Sequence, residues 1–529
     1  MPTDCISFQS SGYFSKLMQD YLDQKAELKP LYNNFPTLEN FEKQLTEKAA
    51  NFDNANRIPL VDTLKNQYQN IDISDATKQN IELLALQNTF TITTGHQLNL
   101  FSGPLYFLYK IISAINLTKE LKLKYPTYNF VPVYWMATED HDFDEINYFN
   151  FKGKKFRWNK ESTGPVGRLS TEGLAEFFEI YSLELGSSTN AGTIKKWFEE
   201  AYLKHDNLAD ATRFLANTLF ANQGLVILDA DDANLKKAFV PFVKEELTEQ
   251  TSFKAVSKTI EQLSEYSVQV NPREINLFYI EDDLRERIIF ENDKYIINNT
   301  RISFSKEEIF TLLERNPEKF SPNVIMRPLY QEIILPNLCY IGGGGEIAYW
   351  LELKSFFDAV NITFPILLVR NSVLLTTEKQ AKKADQLGLS WKDLFTKPAH
   401  LTNAITHKIS PFPIDLTPQK EILAKQFQYL HELAAQTDQS FTGAVKAQEV
   451  KQTKGLENLE KRLLKAQKRK LQDQLQRVTD LQCELFPNQS LQERQTNFSE
   501  FYLEKGEQLI PLLIQKLKPL ESNFDIITI

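Results

Sequence analysis

Cysteine is scarce in this chain: Cys5, Cys339 and Cys483 are the only three in 529 residues, far apart and without a CxxC pair. A disulfide framework and a cysteine-rich zinc site are thereby excluded, and a reducing compartment is expected. Long apolar runs are also missing. No stretch approaches the roughly 18 uninterrupted apolar residues that would cross a bilayer. The opening MPTDCISFQSSGYFSKLMQDYL places Asp4 where a secretory signal needs positive charge. A cytoplasmic protein with no membrane partner is the expectation. An excess of positive charge is lacking too, since Lys+Arg 60 against Asp+Glu 69 leaves a net charge of −9. Nucleic acid is therefore not the expected partner, although a local basic face stays possible. The hydrophobic fraction of 42% excludes wholesale disorder, and the length suggests roughly three structural units.

What is present is a repeated grammar of apolar strand, polar loop and helix. Thr89-Phe90-Thr91-Ile92-Thr93-Thr94 is β-branched and short enough for a buried strand. It runs through Gly95-His96-Gln97 to Gly103-Pro104 and an apolar helical run from Leu105 to Leu123, with Pro104 suited to a first helical turn. Phe130 to Met136, Gly224 to Leu228, Cys339 to Ile341 and Phe364 to Val369 read as further strands. Apolar strands separated by helices predict an α/β fold with a parallel sheet covered on both faces. Ligands of such sheets bind beyond the carboxyl ends of the strands. Four distinctive clusters fall at those ends.

The cluster Thr94-Gly95-His96-Gln97 offers an imidazole and an amide that can hold phosphate oxygens or a developing charge. With six histidines in the chain, two at strand ends, His96 and His141, favour function over a structural role. Glu139-Asp140-His141-Asp142 could anchor an amino group, hold magnesium or orient a proton-transferring histidine. Its spacing is not diagnostic of a metal site, and no permanently bound metal is expected. Glycine is scarce, 18 in all, yet Gly342 to Gly345 are consecutive and lead into a helix start, where main-chain N–H groups favour an anion. Asn271 to Asn276, Arg285-Glu286-Arg287, and Ser321-Pro322-Asn323 with Arg327 and Gln331 are dense in residues awkward to place. Their arginines can clamp carboxylates or phosphates, or form internal salt bridges.

Residues 1–88 alternate helical patterns with polar breaks and carry no chemical motif. Mixed segments between about 150 and 330 read as insertions into the core. Beyond about 385, Gln and Lys become frequent, and Leu456, Leu459, Leu463, Ala466, Leu471, Leu475, Val478 and Leu485 repeat mostly at threes and fours. One helix of roughly 45 residues is predicted, with Gln419 to Glu432 as its shorter antiparallel partner and a tail over 506–529 returning to the body. The basic stripe from Lys451 to Lys470 is the solvated face of such a coiled coil or, as an alternative, a nucleic-acid surface.

Taken in order, Thr94 to Gln97 with Phe101 to Tyr106, Glu139 to Phe143, Asn271 to Phe278, Ser321 to Pro328 and Gly343 to Trp350 resemble the BshC family, the cysteine ligases of bacillithiol biosynthesis. The likeness covers roughly residues 90–375, with departures at His96, where a glutamine is expected, and Gly344, where a proline is common. The resemblance implies a Rossmann-like core over 89–384 with inserted connecting segments, a coiled-coil arm over 385–505 used for homodimerisation, and addition of L-cysteine to glucosaminyl malate. ATP with magnesium is the expected activating co-substrate. Catalytic roles would fall to His96, Asp140, His141 and Asp142. Binding roles would fall to Thr94, Gly95, Gln97, Gly103, Arg273, Asn276, Asn323, Arg327, Gly343, Gly344, Gly345, Glu346 and Tyr349. Two other readings stay open: a different nucleotide-dependent ligase or nucleotidyltransferase, and a coiled-coil nucleic-acid scaffold.

Overall fold

A computed structural model describes residues 4–529. The chain divides into two compact units, one of residues 5–374 with 491–527, the other chiefly of residues 375–490.

The first unit is built on five parallel strands: β1 (Thr89–His96), β2 (Asn129–Met136), β3 (Val226–Asp229), β4 (Asn337–Gly342) and β5 (Ile366–Val369), in the order β5-β4-β1-β2-β3. Every residue of β1 is buried, as a strand covered on both faces must be. Phe90 and Ile92 of β1 pack with Leu338 and Ile341 of β4, Ile366 and Leu368 of β5, and Ala114, Leu117 and Leu121 of helix α1 (Tyr106–Lys124). Pro104 lies just ahead of that helix rather than in its first turn. The register pairs Thr94 with Tyr134 and His96 with Met136 across β1 and β2, and Tyr340 with Thr93 across β4 and β1. From β1 the chain steps outward through β2 and β3, then returns to the other side of β1 for β4 and β5. The carboxyl ends of β1 and β4 therefore flank the switch point of this Rossmann-like sheet.

The inserted region forms its own layers. Tyr148–Phe151 and Lys154–Arg157 pair as an antiparallel hairpin. A second, antiparallel sheet joins Leu277–Glu281, Leu284–Glu291, Lys294–Ile297, Ser303–Phe304 and Phe320–Pro322. Helix α2 (Met326–Ile334) leads into β4, and α3 (Gly344–Leu351) follows it. The early residues form helices that include Lys16–Leu22 and Asn40–Asn51.

The second unit holds the arm. Helices α4 (Thr417–Ala434) and α5 (Gln439–Lys470) are antiparallel: Lys420 pairs with Glu460 at 2.7 Å and, nearer the turn, His431 meets Glu449 at 2.8 Å. Phe427, Ala434 and Val445 form their buried seam. The predicted continuous helix is broken in one place. At Leu471 the backbone leaves the helical region (φ −101, ψ 18), and α6 (Gln472–Leu485) takes over. Packing accounts for the break: α5 buries only Val445 and Gln467, whereas α6 buries Leu475, Val478, Leu481 and Leu485, and its Gln482 donates to the carbonyls of Leu394 and Thr396. Among the described residues no helix is long and apolar enough to cross a membrane.

Candidate functional site

A cavity of about 840 Å³ opens over the carboxyl ends of β1, β2 and β4, a size suited to small molecules. Gly95 and His96 bring β1 to it, Trp135 and Met136 bring β2, and Gly343 follows β4. The antiparallel sheet supplies a wall through Phe278, Arg285 and Pro322. Of the residues expected at a site, His96, Asp140, His141, Asp142, Gly95, Gln97, Arg273, Asn323, Arg327, Gly343, Gly345, Glu346 and Tyr349 line this one hollow.

Four do not line it, each for a local reason. The Thr94 hydroxyl donates to the Ile341 carbonyl and ties β1 to β4. Gly103 has φ +61, and a Cβ there would lie 2.6 Å from the Asn99 Cβ, so its glycine serves the turn. Asn276 is buried, accepting from the Arg273 and Asn323 amide groups and donating to Ser252, and so braces two lining residues. Gly344 faces away, toward the Phe14 ring.

The floor at the switch point is ionic. Lys110, buried in the apolar first half of α1, donates to the Gly95 carbonyl and pairs with Glu346, each at 2.6 Å. Glu346 also accepts from the Gly343 N–H at 2.8 Å and the Tyr340 hydroxyl at 2.9 Å. Burial pushes its carboxyl up, but Lys110 and these hydrogen bonds outweigh that and hold it below the usual range. Burial lowers the Lys110 ammonium, only partly offset by Glu346. The His96 pKa falls to about 3, through burial first and Lys110 second. At neutral pH its ring is an uncharged hydrogen-bonding group.

Among the described residues, the buried polar atoms around this floor that lack a hydrogen-bond partner include His96 Nε2, Arg327 Nη2 and Arg370 Nε. The Arg327 guanidinium is caged by the rings of Trp135, Tyr340 and Trp350 at 5.6–5.9 Å, with Nη1 held by Gln331. Arg370 is fixed by Glu493 at 2.7 Å. Two buried guanidinium groups, each with an N–H to spare, favour an anionic ligand in the cavity they line.

The lining also carries acidic groups. Asp140 accepts from Gln97 Nε2 at 3.0 Å and from the His141 N–H at 2.8 Å. Asp142 lines the hollow beside it. Glu139 is buried in an ion pair with Lys236. Among the described residues no group of three His, Cys, Asp or Glu side chains could hold a metal ion. Cys339 is buried within β4 and burial pushes its thiol well above the usual value, which makes it inert.

Lys110, Arg370 and Arg494 also line the cavity and were not among the expected residues. Lys110 carried a signal, a single charge within the most apolar part of a helical run, Leu105 to Leu117, and Arg370 another, a charge at the first step beyond a strand. Arg494 carried none.

The comparisons with known proteins agree with this architecture. Residues 1–371 match the model of the bacillithiol biosynthesis BshC N-terminal Rossmann-like domain, and residues 373–529 that of the BshC C-terminal coiled-coil domain. A Flavobacterium johnsoniae protein is 85% identical over 100% of both chains. One from Flavobacterium psychrophilum is 63% identical over 100% of this chain and 99% of its own. One from Bacillus cereus is 28% identical over 91% of this chain and 92% of its own. All three bear the name "Putative cysteine ligase BshC".

Proposed function

The chain belongs to the BshC family, and from that premise we propose that it joins the carboxyl group of L-cysteine to the amine of glucosaminyl malate, forming bacillithiol. A carboxylate does not acylate an amine at neutral pH without activation, so ATP with magnesium is the co-substrate. The cysteine carboxylate attacks a phosphorus of ATP, giving an acyl-adenylate with release of pyrophosphate or an acyl-phosphate with release of ADP. The sugar amine then attacks the acyl carbon, the C–N bond forms, the C–O bond to AMP or phosphate breaks, and the amine proton passes to a carboxylate.

One observation carries this reading: a single hollow at the sheet's switch point is lined by the guanidinium donors of Arg327 and Arg370 and the uncharged His96 ring together with the Asp140 and Asp142 carboxylates. The donors suit phosphoryl and malate oxygens, with Arg273 a further malate contact. The carboxylates suit an ammonium group and the departing proton. The sulfur belongs to the substrate, in keeping with the inert Cys339. The arm supports a homodimer, since Ile422, Tyr429 and Leu459 expose 58%, 63% and 52% of their surface along α4 and α5. A biosynthetic role with a free-thiol substrate fits the cytoplasm.

Incubation of the purified protein with cysteine, glucosaminyl malate and ATP-Mg under reducing conditions should yield bacillithiol by mass spectrometry. Product that never exceeds the enzyme-free control overturns the reading.

A further inference from the structure

His141 stands among the acidic groups that line the cavity, and among the described residues its ring makes one polar contact of hydrogen-bond length. Arg285 Nη1 lies 2.7 Å from His141 Nδ1. A guanidinium carries only N–H donors and is not deprotonated in proteins. The imidazole nitrogen facing it must therefore present its lone pair, and the ring proton of the neutral imidazole must sit on Nε2.

The alternative tautomer has no acceptor in place. A proton on Nδ1 would point at the guanidinium, and the nearest carboxylate oxygen, Asp140 Oδ1, is 3.8 Å from Nδ1 and already accepts the His141 main-chain N–H at 2.8 Å. Arg285 is itself held rigidly for this contact. Its Nε donates to the Ser321 hydroxyl at 3.2 Å, its Nη2 donates to the Pro322 carbonyl at 3.1 Å, and its plane lies 4.1 Å over the Phe278 ring. The second sheet of the insertion thus reaches the strand-end cluster of the first through one hydrogen bond.

We propose that Arg285 is a positioning residue that fixes His141 in the Nε2–H tautomer, so that His141 serves the site as a hydrogen-bond donor to an anionic oxygen of the activated acyl group. His141 lines the cavity, and among the described residues its ring makes no other hydrogen bond than that with Arg285. Nε2–H has no lone pair to take the amine proton while Nδ1 is engaged, so that proton goes to Asp140 or Asp142. The tautomer follows from the geometry alone, whereas the use of the donor rests on the ligase reading above.

Full-length protein labelled with ¹⁵N-histidine separates the two. At a pH above the imidazole range, long-range ¹H–¹⁵N correlation spectra, with His141 assigned from the His141→Gln variant, should show Nδ1 at the shift of an unprotonated nitrogen and Nε2 at that of a protonated one. In Arg285→Met the two shifts should move toward the averaged values of free imidazole. Arg285→Lys, which can also only donate, should stay nearer the wild type. A protonated Nδ1 in the wild type, or shifts unmoved in Arg285→Met, overturns the assignment; the wild-type spectrum decides this even should the Met variant not fold.

In the coupled reaction with cysteine, glucosaminyl malate and ATP-Mg, Arg285→Met should lower kcat by on the order of tenfold to a hundredfold, with partial recovery in Arg285→Lys, as for a misplaced transition-state donor. The KM for cysteine should stay close to that of the wild type. An unchanged kcat beside a shifted tautomer overturns the donor role. Wild-type protein that makes no product removes the ligase reading and the donor role with it, while the tautomer result stands.

Discussion

His96 ends β1 with its ring buried against Tyr106 and Phe107, centroids 5.2 Å away, and with its pKa lowered to about 3 from 6.5. As pH falls below 6.5 the unfolded chain takes up this proton and the folded one does not. Stability is therefore lost progressively between about pH 6.5 and pH 3, at about 1.4 kcal/mol for each unit of the shift. Denaturant unfolding across that window should give a shallower pH slope for His96→Gln than for the wild type, and identical slopes would show that the ring is solvated in the native state. The same residue shows how far the sequence speaks at this scale. Its place at a strand end was legible from the β-branched run before it. Its charge state was not, because that depends first on tertiary burial and then on Lys110, fourteen positions later, turning back beneath the Gly95 carbonyl.

The elements separate conformation from contact. Gly103 closes the loop between β1 and α1 with φ +61 and ψ −133, while Asn497 Nδ2 donates to the carbonyls of Phe101 and Gly103. Gly103→Ala should cost about 1–3 kcal/mol for backbone strain alone, with the Asn99 side chain in the way of the new methyl group. Gly345, in α3, has open space at its Cβ position, so Gly345→Ala should be neutral or stabilise by up to about 1 kcal/mol. Thermal melts of the two variants check both, and equal midpoints would mean that the loop accommodates a side chain. The glycines looked alike as sequence, since spacing says nothing of φ or of which side chain comes near. Strand identity was readable because doubly covered parallel strands are short runs of apolar and β-branched residues without charge in their interior. The break at Leu471 was not, because the apolar spacing runs on through Leu475 and Val478 while the partner surface changes.

At the scale of the whole molecule, the strand-end motifs were legible as one site because a parallel α/β sheet sends all its carboxyl ends to one rim, whatever the order of its strands. The wall from the antiparallel sheet and the late contribution of Arg494 were not, since only tertiary packing brings them there. The buried pair Arg370–Glu493 is the sharpest case. Glu493 accepts from Arg370 Nη2 at 2.7 Å and from the Val373 N–H at 3.0 Å, joining the end of β5 to a segment more than a hundred residues later. Both side chains are almost fully buried, at 4% and 1% exposure. Glu493→Ala leaves a guanidinium in a dry site without its counter-ion and should cost about 3–5 kcal/mol. The Arg370→Met/Glu493→Met double variant should recover most of that loss, because removing both charges also removes their desolvation. Arg370 also lines the cavity, so the double variant should be stable and yet bind ATP more weakly than the wild type in a thermal-shift titration. A double variant as unstable as Glu493→Ala would show that the pair's other hydrogen bonds, rather than its balanced charge, hold this corner of the site together.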